Sequence, residues 1–161
     1  MLKLRKFQTQ DSEILISIRN DMEINELLLL NKKNKINNNS ELNNWIEHRN
    51  EKGFFKIISL GNFGIGYIQL TDIDYLAATA WFGIAISKIY QGKNFGFIAM
   101  EKLHAFSKKL RIKTLFLKVR EDNLNAIKLY KKLGYKFSKK VVENYENNSS
   151  KINIQIWKKD L

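Results

Sequence analysis

Six residues, Gln91-Gly92-Lys93-Asn94-Phe95-Gly96, join an apolar, β-rich run from Trp81 to Ser87 to a long amphipathic segment from Phe95 to Leu110. No other stretch narrows the fold as far. A strand that ends in a glycine-bearing turn and continues as a helix gathers unpaired backbone N–H groups at the helix N-terminus, where the macrodipole adds partial positive charge. Such a place suits a phosphate or a pyrophosphate. Glycines ahead of a helix also serve simply to permit a tight bend, so the turn gains meaning from the elements beyond it: a strand from Thr114 to Lys118, then a helix that runs to Leu133.

That second helix carries Asn123-Leu124-Asn125-Ala126-Ile127-Lys128-Leu129-Tyr130, ahead of Gly134-Tyr135. Asn123 and Tyr130 lie two helical turns apart on one face. Turn and helix together resemble the GNAT acetyltransferase superfamily, whose pyrophosphate loop reads Gln/Arg-x-x-Gly-x-Gly/Ala and whose later helix reads Asn-x-x-Ala-x-x-x-Tyr before Gly-Phe or Gly-Tyr. One position departs: Asn94 stands where the family usually has glycine. Asparagine tolerates the left-handed conformation better than most residues, so the loop can keep its shape. The resemblance implies an α/β (α+β) fold with a mixed, mainly antiparallel central sheet, strands four and five splayed, and helices on its faces. It implies acetyl-CoA as cofactor, with Gln91, Gly92, Lys93, Asn94, Phe95 and Gly96 at the diphosphate, Ile84, Ala85 and Ile86 along the pantetheine arm, and Asn123 and Tyr130 beside them.

A chain of 161 residues, 44% hydrophobic, fits one domain over residues 1–161. With no cysteine, disulfides, thiolate metal sites and a cysteine nucleophile are excluded. The two histidines are too far apart for metal-ligand spacing. Met1 to Lys6 lacks the apolar stretch of a signal peptide and no apolar run is long enough for a bilayer, so a cytoplasmic protein with no membrane partner is expected. The formal net charge of +12 favours an anionic ligand and disfavours a polycation, although many lysines simply solvate the surface.

Taken in order, the chain reads as an edge strand from Leu2 to Phe7, then a helix capped from among Thr9, Asp11 and Ser12, with Ile14, Leu15, Ile18 and Met22 on its apolar face. Glu23 to Leu30 either extends it or begins another, and Lys32 to Ser40 is a polar connection. Ser40 caps a helix that turns Leu42, Trp45 and Ile46 inward. Phe54 to Leu60 and Phe63 to Leu70 form a hairpin about Gly61-Asn62. Thr71 to Ala78 leads to the strand at Trp81, and after the last helix come strands near Tyr135 to Val142 and Ile152 to Trp157, about a turn at Asn144 to Ser150.

Acetyl transfer needs a neutral amine, a polarised thioester carbonyl and a proton for the departing sulfur. Backbone N–H groups of a splayed strand at Ile84 to Ile86 can supply the second. Tyr130 is the candidate general acid, because a phenol near pKa 10 stays protonated where a thiol near 8.5 begins to ionise. A glutamate common in relatives before the loop aligns with Trp81, which takes no proton and instead packs or lines the acceptor pocket; Asp72, Asp74, Glu23 or His48 through water are alternatives. His104 is expected to be structural.

Arg19 and Asn20, within Ile18-Arg19-Asn20-Asp21-Met22-Glu23-Ile24-Asn25, resemble the Arg-Asn opening of enzymes that acetylate nucleotide-linked amino sugars. An anionic nucleotide sugar is therefore the first acceptor considered, bound by Arg19, Asn20 and Trp81. The last helix and the turn also resemble spermidine acetyltransferases, and the layout resembles ribosomal-protein N-terminal acetyltransferases. A non-catalytic basic binding module on the same fold is the reading from another class. Nucleic acid is not an expected partner, and a homodimer stays open.

Overall fold

The computed structural model describes residues 1–28, 35–145 and 150–161. Seven strands form one sheet in the order β1-β2-β3-β4-β5-β7-β6: β1 (Leu2–Arg5), β2 (Phe54–Leu60), β3 (Phe63–Asp74), β4 (Thr79–Ile86), β5 (Thr114–Arg120), β6 (Lys136–Tyr145) and β7 (Ser150–Asp160). Every pairing is antiparallel except that of β4 with β5. The expected mixed sheet is present.

Period-two alternation sorts the strand side chains onto two faces. On one face Phe54, Ile58, Ile68, Leu70, Ala80 and Phe82 join a core with Ala99, Met100 and Leu103 of α4 (Phe95–Lys109) and with Ile127 and Tyr130 of α5 (Leu124–Lys132). On the other, Phe55, Ile57, Tyr67 and Ala85 pack with Leu15 and Ile18 of α1 (Ser12–Asn20), Ile24 of α2 (Met22–Leu27), and Leu42 and Ile46 of α3 (Asn39–Lys52). The sheet is covered on both sides.

Several boundaries differ from the sequence expectation. Asp21 breaks the first helix by turning extended (ψ 116°), and its carboxylate accepts the Ile24 amide at 3.0 Å to start α2. Asn38, not Ser40, caps α3 by accepting the Glu41 amide at 2.9 Å. Asp11 makes no side-chain cap bond to α1. Its buried carboxylate accepts both Nη atoms of Arg5 at 2.7 Å and the Gln8 amide at 2.8 Å, which ties β1 to the helix layer. Strand β3 continues past Leu70 to Asp74 and bulges between Thr71 and Asp74. Parts of Glu23 to Leu30, Lys32 to Ser40 and Asn144 to Ser150 lie outside the described residues.

One topological feature positions the site. Strands β4 and β5 pair only through Thr79, Ala80 and Trp81 against Thr114, Leu115 and Phe116. Beyond Trp81 they part, β4 staying with β3 as far as Ile86 and β5 staying with β7 as far as Arg120. Among the described residues no helix is long and apolar enough to cross a membrane.

Candidate active site

The parting of β4 and β5 opens a cleft of about 950 Å³ that reaches both faces of the sheet. At one end is the glycine turn. Gly92 (φ 73°) and Asn94 (φ 64°) are left-handed, and a side chain at Gly92 would meet nothing within 4 Å, so it is backbone conformation rather than space that favours glycine there. Asn94 is the N-cap of α4 in that conformation and makes no side-chain cap bond.

The first helical bond of α4 runs from the Ile98 amide to the Asn94 carbonyl (3.3 Å), leaving the N–H groups of Phe95, Gly96 and Phe97 at the open end of the helix. A side chain at Gly96 would press on Leu129 at 3.2 Å, so glycine lets the first turn of α4 settle against α5. Gln91 donates its amide to the Ile86 carbonyl at 2.8 Å and pins the turn to the end of β4.

Of the residues expected at the cofactor, Ile84, Ala85, Ile86, Gln91, Gly92, Asn94, Phe95, Gly96, Asn123 and Tyr130 all line this cleft. Lys93 does not: its exposed ammonium donates to the Ile89 carbonyl at 3.0 Å. Asn123 caps α5 by accepting the Ala126 amide at 3.2 Å, and its placement on the cleft wall leaves both roles compatible.

Tyr130 stands at the middle, its ring edge-on to Phe82 (5.8 Å) and to Tyr135 (5.9 Å). Burial pushes its phenol up to about 12. It therefore keeps its proton at any physiological pH.

The far end lies on the α1–α3 face. Arg19, Arg49, Tyr67, Gln69, Asp72 and Trp81 line it. Trp45 packs against these residues, edge-on to Phe55 at 5.2 Å and to Tyr67 at 5.3 Å, with the guanidinium of Arg19 at 4.8 Å and that of Arg49 at 5.8 Å from its ring. Arg19 also hydrogen-bonds the Tyr67 phenol, whose pKa burial raises. Trp81 stacks on Phe116, its register partner, at 5.3 Å.

Asn20 is not on the cleft wall. Its side chain clamps the backbone of Ile36, donating to the carbonyl at 2.7 Å and accepting the amide at 3.0 Å. The segment that suggested a substrate contact thus contributes Arg19 to the cleft and Asn20 to the scaffold.

Of the four proton acceptors considered, only Asp72 lines the cleft. Asp74 accepts the Leu76 and Ala77 amides, each at 2.9 Å, and closes the β3–β4 turn. Glu23 pairs with Lys88 at 2.6 Å, and His48 is exposed on α3. Asp72 holds φ 48° at the β3 bulge, an uncommon conformation for a residue with a side chain. His104 is structural as expected, its Nε2 2.8 Å from the Tyr135 hydroxyl. Sequence reasoning missed Arg49, Tyr67 and Gln69. Only Arg49 had a local signal, its i, i+4 spacing from Trp45 on one helix face.

Comparison with known proteins agrees with this geometry. The family model described as an acetyltransferase (GNAT) domain matches residues 1–136. The spermidine N(1)-acetyltransferase of Vibrio cholerae is 25% identical over 145 residues, 89% of this chain and 84% of that protein. A solved structure of spermidine N-acetyltransferase from Vibrio cholerae, in complex with CoA and spermine, superposes with a TM-score of 0.86 at 20% identity, covering 99% of this chain and 95% of that one. The microcin C7 self-immunity acetyltransferase, solved with acetyl-CoA and AMP, gives a TM-score of 0.82 at 22% identity over 99% of this chain and 92% of that one. With the family model covering most of its length, and the turn, the parted strands and Tyr130 in one cleft, this chain belongs to the GNAT acetyltransferase family.

Proposed function

We propose that this chain transfers the acetyl group of acetyl-CoA to the primary amine of a small molecule within a ternary complex. One observation carries the reading: a single cleft joins an anion-seeking turn, the parted edge of β4, Tyr130 and a polar wall on the opposite face of the sheet. The donor fits the residues present. Left-handed Gly92 and Asn94 and the open N-terminus of α4 suit its diphosphate, and the β4 backbone beyond Trp81 has no β5 partner to compete for its hydrogen bonds. Acetyl-CoA supplies a thioester whose sulfur leaves as the acetyl group is transferred.

The chain's own residues then have distinct tasks. The free β4 edge orients the donor arm and offers N–H groups to a developing oxyanion. Tyr130, with its phenol near 12, is a weaker acid than a thiol near 8.5, so its task is to donate a hydrogen bond at the sulfur rather than to surrender its proton outright. Asp72 receives the proton of the amine, directly or through water, since Trp81 on the neighbouring strand takes none.

The nucleotide-linked amino sugar expected from Arg19-Asn20 finds no support among the relatives, and Asn20 is committed to Ile36. The Vibrio cholerae relative is named for a polyamine acceptor, so polyamines belong in the test beside other small amines. A screen for release of free thiol from acetyl-CoA over polyamines, amino sugars, amino acids and N-terminal peptides tests the reading. Turnover with a small amine supports it. Failure to bind acetyl-CoA by calorimetry, or turnover only with peptides, overturns it.

A further inference from the structure

On the far wall of the cleft, the buried Nε of Arg49 and the buried Oε1 of Gln69 have no hydrogen-bond partner among the described residues. Buried polar groups are ordinarily paired, so unpartnered atoms on two residues that line one cleft point to a ligand there. One is a donor carried by a cation and the other an acceptor. Arg49 makes no ion pair among the described residues, and the face of Trp45 lies 5.8 Å from its guanidinium.

The charges nearby point the same way. Arg19 places a second guanidinium over the same indole, and Asp72 is the only carboxylate among the described residues at this end of the cleft. The other carboxylate on the cleft wall, Glu143, is already paired with Lys118 at 2.5 Å. The guanidiniums of Arg49 and Arg19 at this end of the cleft disfavour a polycation. They attract a molecule whose anionic group lies opposite its amine.

We propose that the acceptor of this enzyme is a primary amine that also carries a carboxylate or phosphate, the anion held by Arg49 with Arg19 behind it and the amine directed past Gln69 and Asp72 toward the β4–β5 gap. This rests on the acetyltransferase reading and specifies its acceptor class. The guanidinium fork matches a carboxylate or a phosphate in two parallel hydrogen bonds, which a lysine at the same place does not reproduce. Aromatic Tyr67 and Trp81 flank the path between the two ends.

The test compares matched acceptors in the thiol-release assay: glucosamine against glucosamine 6-phosphate, pentylamine against 5-aminopentanoate, and spermidine. Phosphate and carboxylate are thereby separated as sources of the anion. The expected result is a kcat/KM for at least one anionic member roughly 30-fold or more above its uncharged match, with spermidine below both. In Arg49→Gln that ratio falls toward one, chiefly through KM, and Arg49→Lys restores it in part. Inorganic phosphate, added to protein saturated with CoA so that the diphosphate site is filled, should change tryptophan fluorescence in the native chain and not in Arg49→Gln.

A preference for spermidine over every anionic amine overturns the proposal while leaving the acetyltransferase reading intact. So does an unaltered ratio in Arg49→Gln, or no acceptor accepted together with no phosphate response. Loss of acetyl-CoA binding in the native chain would instead strike the underlying reading.

Discussion

In the proposed mechanism Tyr130 donates a hydrogen bond at the leaving sulfur and Asp72 takes the proton of the amine. Tyr130→Phe keeps the ring packing against Phe82 and Tyr135 and removes only the donor, so steady-state kinetics should show kcat lower by about 100-fold and calorimetry an acetyl-CoA affinity little changed. With the phenol raised to about 12 by burial, no loss of turnover from its ionisation is expected below about pH 10. Asp72→Asn should lower kcat/KM by roughly 100-fold near neutrality, and the deficit should shrink as pH rises and more of the amine is neutral without help; a pH profile checks both. Tyr130 and Asn123 were legible in the sequence because a helix fixes their relation locally. Arg49, Gln69 and Tyr67 were not, because α3 and β3 meet only when Leu42 and Ile46 bury against Phe55 and Ile57. Asn20 misled for the converse reason: the Ile36 backbone that occupies it lies sixteen residues further on.

At the level of elements, the turn between β4 and α4 was read correctly in shape. Asn94 does occupy the left-handed conformation that its replacement of glycine requires. A β-branched residue strains that conformation, so Asn94→Val should cost about 1–2 kcal/mol in urea unfolding and weaken acetyl-CoA binding, whereas Asn94→Gly should bind as well as the native chain. Helix and strand order followed from periodicity, whereas boundaries moved wherever a cap or bulge depended on a competing partner. Asn38 displaced Ser40 at α3, and Asp11 gave up capping α1 for Arg5. The bulge that carries Asp72 into the cleft leaves no mark in an alternating pattern.

For the molecule as a whole, His104 couples stability to acidity. Burial, with Lys159 and Lys108 nearby, lowers its pKa to about 4. The unfolded chain gains that proton as pH falls through about 6.5 while the folded chain resists it, so stability declines from about pH 6.5 to about pH 4 and this contribution is level below. Urea denaturation at about pH 7.5 and pH 5 should differ by about 2 kcal/mol from this residue, and His104→Gln should flatten the slope. The sheet itself consists of four strands and three, joined by three residue pairs between β4 and β5. On the proposed binding mode, a donor lodged there acts as a replacement rung, mending a ladder the polypeptide leaves unfinished. Deuterium uptake at Phe82 to Ile86 should accordingly slow by about tenfold or more once acetyl-CoA saturates the chain, and the enzyme is at its most cohesive only while it is loaded for work.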